Sequence, residues 1–174
     1  MTYEQALYYK ILIINGFEEE YHEFVNEKLI SESPLSDIIL ELSFCGRDKD
    51  KILSVLGEYL LDVAKKDIDS ETVENYLRNF IRDKYLNENY SVADAVDLVY
   101  SFMYSDDYLW RDVSNVYDYH LLAEDGIIKM EDFVKLFEEY LLYGKFDSKK
   151  LWGKKEVKKE NFFKKVLYFL TRRG

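Results

Sequence analysis

The stretch LLAEDGIIKMEDF, residues 121–133, places a glycine, a following isoleucine and a trailing phenylalanine where the back half of an EF-hand calcium loop has them. Calcium needs six to eight oxygen ligands, and such a loop supplies most from positions 1, 3, 5 and 12, with glycine at 6. With Gly126 at position 6, those places fall to Leu121, Ala123, Asp125 and Asp132. Two of the four side chains are hydrocarbon, and the bidentate glutamate is shortened to aspartate. The residues instead describe a helix-to-helix corner. Gly126 ends one helix as a left-handed cap, and Met130 opens the next with Glu131 and Asp132 in its first turn, where negative charge is favourable.

The other metal-ligating types are sparse: two histidines, His22 and His120, and one cysteine, Cys45. Glu18 and His22 lie one helical turn apart, but metal sites usually need three or four ligands, so no metal site is expected. A helical projection sets His120 beside Leu109, Val113 and Val116, as a hydrogen-bonded core residue. Cys45, in the apolar run LELSFCG, cannot form an intramolecular disulfide and reads as a small buried hydrophobe. No phosphate-binding loop, nucleophile elbow or Cys/His signature is present. The chain is therefore expected to be non-enzymatic and to need no cofactor.

Aromatic residues make up 17% of the chain, with 16 tyrosines. Tyrosine combines a flat apolar body with a hydroxyl and is cheap to immobilise, which suits interfaces. Tyrosines cluster with acids in YSFMYSDDYLWRDVSNVYDYH, residues 100–120. On the projection of this helix Tyr108, Asp112, Asn115 and Tyr119 form a stripe beside the apolar face, with Asp106, Asp107 and Asp118 nearby. Such a surface suits a partner rich in Lys and Arg, through charge pairing and cation–π contact. The competing reading is that the tyrosines only line helix–helix contacts. Glu18–Glu20 offers a second acidic face.

Charge over the whole chain points the same way. Lys plus Arg number 24 and Asp plus Glu 34, net −10. Residues 145–174 carry 11 bases and 3 acids, so the body, residues 1–144, carries 13 bases against 31 acids, net −18. An acidic body repels nucleic acid and anionic membrane and attracts basic partners. The basic C-terminal segment has an apolar side (Val157, Phe162, Phe163, Val166, Leu167, Leu170) suited to docking on that body. In isolation it would also fit a membrane surface or nucleic acid.

The elements that must carry these residues are helices. There are one proline and seven glycines, and apolar residues recur at three- and four-residue spacing almost throughout. The expected helices run over about Thr2–Ile14, Glu18–Ile30, Pro34–Cys45, Asp48–Lys65, Ser70–Leu86, Ser91–Tyr104, Asp106 or Asp107 to Gly126, Met130–Tyr143, and residues 156–172. Pro34 is placed at a first helical position, and Ser70 and Ser91 as N-caps. The fourth helix carries Ile52, Leu56, Tyr59 and Val63 on one stripe. The expectation is an all-α single domain over 1–174, with eight to nine helices packed as antiparallel pairs in a compact bundle or a short superhelical array. No fixed-period repeat supports a true solenoid. The start MTYEQALYYKILIING lacks a signal-peptide pattern, and no apolar run reaches the ~18 residues of a membrane span. A cytoplasmic protein is expected.

At PLSDIILELSF and WRDVSNVYDYHLLAEDGIIKMEDFVKLFEEYL the chain resembles small, acidic, all-helical immunity proteins of bacterial polymorphic-toxin and contact-dependent inhibition systems. The resemblance implies a cytoplasmic protein that binds and blocks a toxin's C-terminal domain. It carries no catalytic motif, so it assigns no residue a role by position, and the basic C-terminal segment departs from it. The leading expectation is a binding protein that neutralises a basic, nuclease-type toxin by covering its active site. Two alternatives stand beside it: a nucleic-acid-mimicking regulator or antirestriction protein that binds a DNA-binding protein, and an intracellular enzyme whose site has no visible signature.

Overall fold

A computed structural model describes residues 1–61, 68–105 and 114–152. Among them are eight α-helices and no strand: α1 Tyr3–Ile14, α2 Glu18–Ser31, α3 Asp37–Phe44, α4 Lys49–Leu61, α5 Ser70–Asn87, α6 Val92–Ser105, α7 Ser114–Glu124 and α8 Met130–Tyr143. A 3₁₀ turn, Ser148–Trp152, follows α8. The protein is all-α, as its periodicity predicts. The end of the fourth expected helix with Val63, the start of the seventh and the helix at 156–172 lie outside the described residues.

Local chemistry sets most of the helix ends. The Thr2 hydroxyl accepts the Gln5 N–H while the Gln5 side chain accepts the Thr2 N–H, a capping box that opens α1. Two expected starts need correction. Pro34 does not open α3: the helix begins at Asp37 after Ser36, which is extended at φ −73°, ψ 145°. The Ser36 hydroxyl donates to the Glu32 carboxylate at 3.1 Å, which ties the turn to the end of α2 and leaves Pro34 outside the helix. Ser70 does not cap α5 either. Asp69 does, accepting the Glu71 N–H at 3.1 Å and the Thr72 hydroxyl at 2.6 Å.

Ser91 opens α6 as predicted. Its hydroxyl accepts the Asp94 N–H at 3.1 Å, and the Asp94 carboxylate accepts the Ser91 N–H at 2.8 Å and the Ser91 hydroxyl at 2.6 Å. These bonds, the one to the Ser91 side chain foremost, hold the Asp94 carboxyl below its usual range. A carboxyl depressed in the folded state contributes stability above its unfolded pKa of about 3.9, and loses it as pH falls through the folded value. Asp94→Asn should therefore melt lower than wild type at neutral pH. The deficit should fade in thermal melts taken below the ordinary aspartate range.

Packing centres on α1. Consecutive helices pack in the pairs α1–α2, α2–α3, α3–α4, α5–α6, α6–α7 and α7–α8, and α1 also meets α4, α5 and α6. A linear array has contacts only between neighbouring repeats, so this is the compact alternative. Buried side chains form two clusters. One gathers Leu7, Ile11 and Leu12 of α1 with apolar residues of α5 to α8, including Leu77, Phe102, Phe133 and Phe137. The other gathers Ala6 and Ile13 of α1 with Tyr21, Ile39, Leu42, Ile52 and Leu56 of α2 to α4. Every residue of α1 except Ile14 is buried or half-buried, and α1 is the wall common to both. On α4, Ile52 and Leu56 are buried and Tyr59 is half-buried, its hydroxyl donating to the Met1 carbonyl at 2.9 Å.

The corner at 121–133 is a helix cap. Gly126 has φ +68°. Its N–H donates to the Ala123 carbonyl at 3.0 Å and the Ile127 N–H to the Leu122 carbonyl at 2.9 Å, the paired bonds of a Schellman motif. The loop thus spends its glycine and carbonyls on closing α7. Nothing lies within 4 Å of where a Cβ on Gly126 would sit, so a side chain there meets only backbone strain. Gly126→Ala should cost about 1–2 kcal/mol, the penalty of a left-handed residue with a Cβ. Denaturant melts should show the same loss with and without millimolar calcium. Gly144, φ +72°, ends α8 and faces a second obstacle, because its Cβ would run into the Arg78 guanidinium of α5.

Candidate partner-binding surface

Helix α6 divides cleanly. Ala95, Val96, Val99 and Phe102 are buried, whereas Asp94, Asp97, Tyr100 and Tyr104 are exposed. The outer four recur at three- and four-residue spacing and so form one outward row. Packing of α6 against α7 brings the Tyr117 ring to 4.3 Å from Tyr100, and the Tyr104 ring lies tilted beside Tyr100 at 4.6 Å. Asp118 of α7 is exposed next to this aromatic group. The Tyr104 hydroxyl first, and the Asp118 charge to a lesser degree, hold the Tyr100 phenol above its usual range. The Asp118 carboxyl is itself raised, because surrounding protein withdraws water from it.

Of the residues predicted to meet a partner, Asn115 and Asp118 are exposed and Tyr119 is half-buried. Asp106, Asp107, Tyr108 and Asp112 lie outside the described residues. Tyr119 is anchored from behind. Its ring lies 5.8 Å from Phe146 and 6.1 Å from Trp152, and the Trp152 indole N–H donates to its hydroxyl at 3.4 Å. Asn115 borders a shallow depression of about 270 Å³ with Gly144, Lys145, Phe146 and Asp147.

The stripe projected from the sequence did not include Asp97, Tyr100, Tyr104 and Tyr117, which lie on α6 and α7. The signal was the absence of bases as much as the presence of acids. Residues 85–128 hold nine acids and one base, Arg111, and neither α6 nor α7 contains a Lys or Arg. Among the described residues Asp97 and Asp118 have no ion pair. The Glu18–Glu20 face differs: Glu18 pairs with Lys49 at 3.1 Å, Glu19 with Arg47 at 2.8 Å and Glu20 with Lys84 at 3.0 Å. That second acidic face is neutralised within the protein, whereas among the described residues no Lys or Arg pairs with the acids of the α6–α7 face.

The metal-ligating types are dispersed. The Glu18 carboxylate is engaged with Lys49 rather than His22. His120 is 5% exposed, as expected of a core residue, with its ring 5.3 Å from Phe133. Among the described residues no group of three His, Cys, Asp or Glu could hold a metal ion. Cys45 is half-buried rather than buried, because it sits in the turn that ends α3. Loss of solvent raises its thiol pKa, which lowers its nucleophilic thiolate fraction. No described helix is long and apolar enough to cross a membrane.

No family model matches the chain, and no solved structure matches it at a significant level. A stretch of 89 residues is 28% identical to the uncharacterized protein RP854 of Rickettsia prowazekii (strain Madrid E). The match spans 51% of this chain and 41% of that protein.

Proposed function

We propose that this is a non-catalytic binding protein that captures a basic protein through the α6–α7 face, in the manner of an immunity protein that neutralises a nuclease-type toxin in the cytoplasm. The observation that carries the reading is the row Asp94, Asp97, Tyr100 and Tyr104 beside Tyr117 and Asp118, on two helices without a base. Acids there can occupy a cleft that normally holds phosphate, while tyrosine rings receive Lys and Arg side chains. Inhibition of this kind needs no chemistry at the face, and opposite charge speeds capture. The half-buried anchoring of Tyr119 on Phe146 and Trp152 also fits, because an interface residue held in place loses less freedom on binding.

The test is affinity capture from native cells with the immobilised protein. The captured protein is then purified and its activity titrated. A basic enzyme inhibited at one-to-one stoichiometry, more weakly at high salt, is the expected result. A DNA-binding regulator or restriction component in its place would favour the nucleic-acid mimic, and turnover of a small substrate by this chain would overturn both.

A further inference from the structure

The chain carries, within its own length, a segment of opposite charge to the α6–α7 face. Residues 153–174, outside the described residues, hold eight bases and two acids, with Phe162, Phe163, Tyr168 and Phe169 among them. On the face, Asp94, Asp97 and Asp118 are exposed beside Tyr100 and Tyr104, and among the described residues no Lys or Arg pairs with these acids. Trp152, immediately before the segment, is anchored at the edge of that face. Its indole N–H donates to the Tyr119 hydroxyl at 3.4 Å, and Tyr119 follows Asp118 in α7. The segment therefore departs beside the acids. Reach is no obstacle. The row from Asp94 to Tyr104 runs about 15 Å along α6 at a rise of about 1.5 Å per residue, and a segment of 22 residues spans about 33 Å even at that short rise. The other acidic face is already taken, because Glu18, Glu19 and Glu20 pair with Lys49, Arg47 and Lys84.

We propose that residues 153–174 occupy the α6–α7 face of the free protein, and that a basic partner binds by displacing them. The proposal rests on the reading of that face as a binding surface and adds its regulation. Lysine charge in the segment complements Asp97 and Asp118, and its aromatic residues suit the exposed Tyr100 and Tyr104 rings. Held on a short tether, the segment meets the face at an effective concentration in the millimolar range. Against a dissociation constant of about 0.1 mM for the contact itself, that leaves about one face in ten open. The apparent affinity of any competing ligand then falls about ten-fold. Weakly bound basic proteins are turned away, while a partner that binds the face tightly still gains it. Self-occupation thus sharpens the choice of partner.

Zero-length carbodiimide coupling, which joins a lysine amine to a carboxylate in contact with it, tests the contact in the full chain. Peptide mass spectrometry should find lysines of residues 154–165 linked to Asp94, Asp97 or Asp118, with fewer such links in high salt. Mixing isotope-labelled and unlabelled protein should show the links to lie within one chain. Displacement is read with heptalysine as the probe. Lys158→Gln, Lys159→Gln, Lys164→Gln and Lys165→Gln together should tighten heptalysine binding about ten-fold. Lys10→Gln, Lys51→Gln, Lys129→Gln and Lys135→Gln change net charge equally and should tighten it far less. Asp97→Asn with Asp118→Asn should weaken heptalysine in either background. Absence of the links, links only between chains, or an equal gain from the two lysine sets would overturn self-occupation while leaving the face as a binding surface. If heptalysine instead binds without regard to Asp97 and Asp118, the face itself is misread, and self-occupation falls with it.

Discussion

Leu12→Ala should destabilise the protein by about 2–5 kcal/mol, the usual cost of truncating a fully buried leucine. Leu12 is 0% exposed and packs in the cluster built by α5 to α8. Its carbonyl also accepts the Phe17 N–H at 2.9 Å, in the turn that leads into α2. Because α1 walls both clusters, the loss should reach the α2–α4 side as well. Urea melts followed by far-UV circular dichroism and by tryptophan fluorescence should shift together as one transition. Leu56→Ala, 0% exposed in the other cluster, should lower that same transition. Two separated steps in either variant would show that the clusters fold apart and that α1 does not couple them.

The second large effect concerns binding. The double reversal Asp97→Lys, Asp118→Lys should weaken capture of the basic partner by about 2–5 kcal/mol, which is roughly thirty-fold to several thousand-fold. Folding should change little, because isolated surface substitutions usually stay within about 0.5 kcal/mol. Both carboxylates are exposed and neither has an ion pair among the described residues, so reversal breaks no described ion pair. Tyr104→Ala, at a ring 68% exposed, should weaken binding with equally little effect on the melting midpoint. Affinity measured at two ionic strengths gives a further check, since an electrostatic face loses affinity with salt. If the reversed protein binds as tightly as wild type, the α6–α7 face is not the contact. The Glu18–Glu20 face would be a poor replacement, given that each of its acids is already paired.

Helix ends were legible where one residue dictates the backbone. Gly126 could be read as a boundary because its chemistry is local, and the first helix was placed from about Thr2, where the structure adds a capping box. The start of α3 was not, since Ser36 is held by Glu32 from the previous helix, a contact that spacing around Pro34 does not reveal. Asp69 and Ser70 are both good caps by type, and only the Thr72 hydroxyl reaching Asp69 decides between them. The acidic, tyrosine-rich character of residues 100–120 was legible, but the packing of α6 against α7 was not. Projecting a single helix ranks residues by their angle on that helix, and so picked Tyr119. The row on α6 gains its meaning from α7 packed beside it, where Tyr117 meets Tyr100. Tyr119 packs against Phe146 and Trp152, which arrive from roughly thirty residues further along the chain, beyond the reach of helical periodicity.

The contact between Trp152 and Tyr119 also gives the molecule an optical reporter. The indole is half-buried, donates its N–H to a phenol, and sits one residue position away from Asp118 through that phenol. Indole emission responds to the polarity and hydrogen bonding around the ring, and a tyrosine 6.1 Å away can pass its excitation to it. The chain has two tryptophans, Trp110 and Trp152, so Trp110→Phe would leave Trp152 as the sole emitter. A partner settling on α7 could then be followed without a label, as a change in the colour of that one ring's emission.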